Sequence, residues 1–348
     1  MYLTKIETNF KGKTRTLDIQ YPHIAIIGDN AAGKTAILNA ITLPLLGHAC
    51  DLGARDEAKS ASILKGLVGR KEDRAYSKLT FSDGTVASWE LRGGKITREA
   101  PPWRVSDPFA DSYAMLRQGK DNVIRYFVKH FGPEDKLLPE VGLFSTLASG
   151  KPWWLAILDV EAEAASVARA HKATMSALEK SAEALGWDIK TGRQPKSSDM
   201  QDIYNDLSDR YKGAASVADA CSDQMEKWFL ANIPSIEAQL RADTVLQDLG
   251  IVAEKGAVYV GRRDYEASGP ATLPLTSGAE TLITALKMAS YARVGGPGLE
   301  FAILPDKDLD EKTKASIVKF SYSTTLSIVM QCTRWISGST PHWSIIHV

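Results

Sequence analysis

Along the first third of the chain, apolar and polar residues alternate over positions 3–10 and 16–20, the period of two expected of half-buried strands. Ile24, Ala25, Ile26 and Ile27 then form an unbroken apolar run, the pattern of a strand buried on both faces. An apolar helix is expected over 35–46. Farther on, 75–81, 86–91 and 95–99 are strand-like. Ser82-Asp83-Gly84 and Gly93-Gly94 separate them, which predicts an antiparallel meander.

The middle third changes period. Residues 159–185 contain no Pro or Gly and are rich in Ala. Val160, Ala164, Val167, His171, Met175, Leu178, Ala182 and Leu185 recur at spacings of three and four. Gly186, Gly192 and Pro195 interrupt the pattern, which resumes at Ile203, Leu207, Tyr211, Ala214, Val217, Cys221, Met225 and Trp228. Two helices of similar length around a polar turn predict an antiparallel hairpin. The Ala-rich seams and Gly213 leave open a second reading, two ordinary core helices of a globular insert. Trp153, Trp154 and Pro234 fall near the base, where the insert rejoins the rest. The last third is mixed again: strands over 257–260, 300–304, 326–330 and 343–348, and a helix over 278–291.

Composition narrows the class. The 348 residues are 44% hydrophobic, enough for a substantial core and for more than one structural unit. Lys plus Arg and Asp plus Glu are both 42, which argues against a generic polycation while permitting a local basic patch. Cys50, Cys221 and Cys332 are far apart, so neither a disulfide framework nor a cysteine zinc site is expected. The first residues lack a signal-peptide core, and no apolar run is long enough for a bilayer. A cytoplasmic protein without a membrane partner is the expectation.

The sharpest chemical signal follows the buried strand. Gly28-Asp29-Asn30-Ala31-Ala32-Gly33-Lys34-Thr35 satisfies G-x-x-x-x-G-K-[ST] between an apolar strand and a helix, the context this phosphate loop needs. Its backbone N–H groups would face phosphate oxygens, with the glycines allowing close approach. Lys34 would bridge the β- and γ-phosphates of ATP, and the Thr35 hydroxyl would ligate Mg²⁺. The helix that follows adds the positive end of its dipole.

These segments resemble the start of the SMC-type ABC ATPases, the group that includes SMC proteins, RecF, RecN and the SbcC-type repair ATPases. The match lies at Gly28, Asn30, Gly33, Lys34 and Thr35, then Leu38, Ala40 and Ile41, with Ala31 where Gly is usual. Gln118-Gly119, followed by Ile124-Arg125-Tyr126-Phe127, resembles the Q-loop, in which a Gln after an apolar strand reaches Mg²⁺ and the attacking water. Leu275-Thr276-Ser277-Gly278-Ala279 resembles the ABC signature. There a Ser hydroxyl, a Gly N–H and a helix N-terminus bind the γ-phosphate held by a partner subunit. Taken alone, Ser277 and Glu280 also read as a capping box. The resemblance implies an α/β fold: an ABC-type P-loop ATPase head with a mixed sheet and an antiparallel helical hairpin insertion. The halves of the head are expected over 1–158 and 243–348, with the insert over 159–242. The turn of the insert has no cysteine, so the zinc hook of SbcC-like proteins is absent.

The match weakens toward the C-terminus. After the apolar strand, Pro305-Asp306-Lys307-Asp308-Leu309-Asp310-Glu311 stands where Asp-Glu and then Leu-Asp are expected. Asp306 suits the Mg²⁺-associated carboxylate, and Leu309-Asp310 resembles the D-loop. Lys307 occupies the catalytic Glu position and cannot accept a proton from water, leaving Asp308 as the nearest substitute base. The final switch has no His; Gln331 and Arg334 follow the strand instead, and a plain strand end is the simpler reading. Slow hydrolysis is therefore expected, with ATP driving homodimerisation.

The insert carries ten basic and fourteen acidic side chains, which leaves the rest of the chain mildly basic. Lys11, Lys13, Arg15, Lys65, Arg70, Lys71, Arg74 and Lys78 are candidate contacts to a DNA backbone, with ordinary solvated surface as the alternative. No nuclease carboxylate cluster is evident, so cutting would fall to a partner nuclease or effector. The functions compatible with the residues are a DNA-associated repair or genome-defence ATPase and a nucleotide-sensing scaffold that restrains a partner without binding DNA. A P-loop small-molecule kinase would leave the signature segment and hairpin without roles.

Overall fold

Strand β3 (His23–Ile27) is buried at every position, as its unbroken apolar run requires. The computed structural model describes residues 1–49, 61–117, 119–135, 144–190, 198–254, 256–264, 271–292, 298–304, 309–336 and 341–348. The chain divides into two compact units, residues 1–117 with 275–348, and residues 118–274.

The first unit contains two five-stranded sheets. One is antiparallel, in the order β2 (Arg15–Asp18), β1 (Leu3–Thr8), β4 (Arg74–Phe81), β5 (Val86–Arg92), β6 (Lys95–Glu99). The last three strands are the expected meander. The other sheet is parallel throughout, in the order β13 (Trp343–His347), β3, β12 (Ser327–Cys332), β11 (Gly298–Ile303), β7 (Arg104–Ser106). Ile24 lies between Val329 and Ser344 in register, so the carboxyl ends of β3, β12 and β13 reach the same edge. The short helix α2 (Ala61–Leu64) precedes β4.

Helix α1 (Lys34–Leu46) packs against β1, β4 and β5 of one sheet and β3 and β12 of the other. A helix held between two sheets has no solvent face, which explains why it is apolar all round. Every residue from Ala36 to Leu45 is buried. Pro44 sits inside this helix and has no N–H for the carbonyl of Ala40. The buried Ser77 hydroxyl on β4 fills that vacancy, donating to Ala40 O at 2.6 Å. At the helix end, Arg98 donates to the carbonyls of Pro44 (2.9 Å) and Leu45 (2.6 Å), and Gly47 closes the turn with φ 76°.

His23 begins β3 and is 4% exposed. Its Nδ1 accepts from Ile328 N, and its ring lies 5.3 Å from that of Trp343. Burial lowers its pKa to about 4, an effect that the Ser321 backbone opposes and His342 reinforces. The neutral ring is therefore the form the sheet contains.

Helices α3 (Pro108–Arg117), α8 (Gly278–Ser290) and α9 (Glu311–Ser321) complete this unit, with α3 packed on α8 and β11. The segment before Gln118 is thus a helix, in contrast to the apolar strand expected there. Asp107 accepts from Ala110 N at its start, and Phe109, Ser112 and Met115 form a buried face at a spacing of three.

The second unit holds α4 (Lys120–Phe131), α5 (Ser145–Ala148), α6 (Trp153–Ala184), α7 (Ser198–Ala242) and the antiparallel sheet β8 (Leu249–Glu254), β9 (Ala257–Asp264), β10 (Ala271–Pro274). Helices α6 and α7 pack along each other as the expected hairpin, but α7 has 45 residues against 32 in α6 and continues through Pro234. Val160, Ala164, Ala182, Ala214, Cys221 and Met225 are buried along the seam. Leu185 and Ile203 are not, at 70% and 52% exposed. Leu185 is at the C-cap of α6, where Gly186 (φ 72°) turns the chain and Trp187 N bonds back to Ala182 O. Trp187 and Ile189 fill the tip instead. At the base, Trp153 and Trp228 pack with ring centroids 5.8 Å apart, and Arg125 of α4 pairs with the buried Glu161 of α6. Among the described residues, no helix is long and apolar enough to cross a membrane.

Ser77→Ala should destabilise the chain by roughly 1–3 kcal/mol, because Ala40 O loses the donor that Pro44 cannot supply. Pro44→Ala should recover part of that loss in the double variant, since its backbone N–H can then bond Ala40. Urea unfolding of the four-member mutant cycle checks this; strictly additive losses would contradict it.

Candidate phosphate-binding site

The phosphate loop begins where β3 leaves the sheet. Gly28 N bonds to Cys332 O at 3.2 Å, and Val348 N bonds to Ile27 O at 2.8 Å, so the loop is anchored from both sides. A Cβ on Gly28 would come 2.9 Å from Val348 O, which leaves glycine as the residue that fits. The loop then turns on Ala32 N bonding to Asp29 O at 3.2 Å. Ala31 has φ 66° and Gly33 φ 111°, both left-handed. Ala31 thus adopts the backbone conformation that glycine provides without steric cost.

Gly33 is the N-cap of α1. It has no side chain to satisfy the first N–H groups, and the first turn carries no acidic residue. Its carbonyl accepts from Ala36 N and Ile37 N, starting the helical ladder. Within its own first turn the helix therefore offers no side-chain cap and no carboxylate to its positive end. Lys34 is 6% exposed, and its Nζ donates to Gly28 O at 2.8 Å and Asp29 O at 3.1 Å. Neither partner is a carboxylate. A buried ammonium held, among the described residues, by two carbonyls, beside an uncapped helix start, is a fit for an anion. Thr35 is half-buried in the same turn, and Asn30 is exposed on the loop.

A cavity of about 180 Å³ adjoins the loop, lined by Phe10, Lys11, Lys13, Arg15, Gly33 and Ala36 among others. A Cβ on Gly33 would lie 3.6 Å from the Arg15 guanidinium. Three basic residues that the sequence suggested for a nucleic-acid surface therefore stand at the phosphate loop. Lys11 and Gly12 both have positive φ, and Gly12 is pressed against Gly69, whose Cβ would come 2.5 Å from Gly12 Cα. This contact joins the Lys11–Lys13 turn to the segment that carries Lys65, Arg70 and Lys71, all exposed. Arg74 lies over the Tyr76 ring at 5.2 Å.

Ser277 and Gly278 stand at the start of α8 and are not among the residues lining the loop cavity. The Ser277 hydroxyl accepts from Glu280 N at 3.1 Å, and the Glu280 carboxylate accepts from Thr276 N at 2.9 Å and its hydroxyl at 3.0 Å. Ser277 thus caps α8 as the capping-box reading has it, while Glu280 reaches back to Thr276 rather than to the Ser277 N–H. Ser277 and Gly278 are exposed.

Asp310 caps α9, accepting from Thr313 N at 2.6 Å, and this bond holds its carboxyl below the usual range. Gln331 is buried within β12, opposite Ile26, whereas Arg334 lies beyond the strand and its carbonyl accepts from the buried Lys314 at 2.8 Å. Gln118, Asp306, Lys307 and Asp308 lie outside the described residues. Among the described residues there is no cluster of three or more His, Cys, Asp or Glu side chains suited to a metal. The part sequence reasoning missed is Arg15; its alternation as a strand residue gave no sign of a neighbour eighteen positions away.

Ala31→Gly should raise stability by about 1 kcal/mol through relief of the left-handed alanine, read as a higher urea midpoint. An unchanged or lower midpoint would show that the loop carries no such cost.

The AAA domain family matches residues 9–124. No curated protein matches by sequence. In structure, the chain is similar to the recombination mediator protein RecF-ATPrS of the RecFOR pathway, at 13% identity and a TM-score of 0.50, covering 97% of this chain and 94% of that one. It also aligns with the Smc head domain of Pyrococcus furiosus solved with the C-terminal domain of ScpA, at 16% identity and TM-score 0.42, covering 96% and 90%. The SMC head domain of Thermotoga maritima aligns at 12% identity and TM-score 0.40, again covering 96% and 90%. With its phosphate loop leading into a helix held between a parallel and an antiparallel sheet, and a helical hairpin in the middle of the chain, this protein has the fold of an SMC/RecF-type ABC ATPase head.

Proposed function

We propose that this chain binds ATP with Mg²⁺, hydrolyses it slowly and dimerises on it, acting in DNA repair or genome defence with a partner protein. The observation that carries the reading is Lys34, buried at an uncapped helix start with two loop carbonyls as its partners. An anion placed there gains the ammonium, the free N–H groups of the first turn and the helix dipole together. Gly28, Asn30 and Gly33 shape the loop around the β-phosphate, and Lys34 reaches the β- and γ-phosphates. Lys11, Lys13 and Arg15, in the adjoining cavity, suit the rest of the nucleotide's charge.

Thr35, Gln118 and Asp306 are the residues proposed to hold Mg²⁺, which supplies charge neutralisation of the phosphates. Gln118 also orients the attacking water, and Asp308 takes its proton. Lys307, in the position of the usual glutamate, has no lone pair to offer at neutral pH. Hydrolysis is then slow, and the bound nucleotide persists as a signal.

Dimerisation follows from α8. Its N-terminus is exposed and carries Ser277 and Gly278, neither of which lines the loop cavity of its own chain. Facing a second copy, these groups complete the shell around the γ-phosphate held by Lys34 there. The DNA reading rests on the exposed Lys65, Arg70, Lys71, Arg74 and Lys78, and on the likeness to a recombination mediator. Any cutting of DNA falls to a partner nuclease or effector.

Titration with a fluorescent ATP analogue and Mg²⁺ should show saturable binding that Lys34→Ala weakens by roughly a hundredfold. In light scattering, ATP should convert the wild-type chain to a dimer, whereas Ser277→Arg should bind the analogue and stay monomeric. Equal affinity in Lys34→Ala would sink the nucleotide reading, and ATP-driven dimers of Ser277→Arg would sink the composite site.

A further inference from the structure

The second unit contains a cavity of about 770 Å³ formed by the last turns of α7 and the β8–β9–β10 sheet. Ile233, Glu237 and Arg241 enter it from one helix face at a spacing of four. Tyr259 and Arg263 enter from β9, also four apart and therefore on one sheet face, and Thr272 enters from β10. The size falls within the range of small-molecule sites, and the mix of aliphatic wall and a few convergent polar groups is characteristic of them.

Arg263 is the anomalous member. Its side chain is 8% exposed, and its terminal NH2 nitrogen is buried without a hydrogen-bond partner among the described residues. The carboxylate beside it is Glu237, at 3.5 Å. That carboxylate is already shared: Oε1 accepts from Ile251 N at 3.0 Å, and Oε2 from Arg241 at 3.0 Å. One carboxylate thus serves two guanidiniums and a backbone amide. A buried guanidinium left short of an acceptor is costly, and an anion that the side chain meets by a small shift toward the cavity would remove that cost. Arg241 is 59% exposed and would exchange its bond to Glu237 for one to such a ligand by a turn of its side chain. Glu254 also borders the cavity, but it is exposed, so solvent screens it far more than it screens Arg263. Close packing keeps Thr272 in place: a Cβ on Gly250 would come 2.4 Å from its hydroxyl oxygen.

We propose that this cavity binds a small organic anion, a carboxylate or phosphate head on an apolar body, with Arg263 taking the head group. Arg241 closes over the same charge, and Ile233 packs against the apolar body. The site is independent of the phosphate loop and uses none of its residues.

Calorimetric titration of the full chain with octanoate and with octyl phosphate tests this, with octanol as the neutral control. One-site binding of either anion, without binding of octanol, is expected, and the anion that binds names the head group. Arg263→Gln should weaken it by roughly tenfold or more, Arg241→Gln by a few-fold, and Lys34→Ala should leave it unchanged. Circular dichroism confirms that the variants are folded, and the exposed Arg241→Gln keeps the test open if Arg263→Gln does not fold. The proposal is overturned if neither anion binds, if octanol binds as well as the anions, if both arginine variants bind like wild type, or if Lys34→Ala abolishes binding.

Discussion

Helix α1 has to be buried on all sides, and the first unit is arranged around that constraint. Two sheets of different kinds, one antiparallel and one parallel, enclose it. An enclosed helix cannot satisfy its backbone with water, so each irregularity in it needs a specific partner. Ser77 supplies the donor that Pro44 lacks, and Arg98 closes the far end. Only the first turn is left without a protein side-chain cap, and that turn opens toward the phosphate loop. The same enclosure that stabilises the helix leaves its positive end as a place that suits an anion.

This gives the loop its character. Its first residues are held on one side by β12 and on the other by Val348, its close approach to that residue excludes a side chain at Gly28, and Lys34 is drawn inward onto the carbonyls of Gly28 and Asp29. The charge is pre-organised, so binding need not order a long side chain. Ala31 is the exception. It holds a left-handed conformation where glycine would be easier, so the loop bears a small local cost at the site of its chemistry.

Much of this was legible in the chain. An unbroken Ile-Ala-Ile-Ile run has few interpretations besides a strand buried on both faces, and Gly-Lys-Thr after it leaves little freedom for the turn. The meander and the seam of the hairpin were readable for similar reasons, since period reports directly which face is buried. The failures are equally physical. Residues 114–117 look apolar enough for a strand, but Asp107 caps a helix that sets Phe109, Ser112 and Met115 on one face. Leu185 extends the helical period numerically, yet it is already the C-cap of α6, where Gly186 turns the chain and Trp187 and Ile189 fill the tip instead. Arg15 sits on a strand, and only the pairing of distant segments brings it to Gly33. Arg263 lacked any local motif, because its shortage of acceptors arises from α7 and β8 together.

We propose that the phosphate loop of one chain is completed by the start of α8 in another. Mixing the two single variants Lys34→Ala and Ser277→Arg tests it most directly, by sedimentation with ATP. Neither variant should associate alone, but the mixture should, because one pairing unites the intact Lys34 of one chain with the intact Ser277 of the other. Dimers formed by either variant alone, or a mixture that behaves as the sum of its parts, would contradict the account.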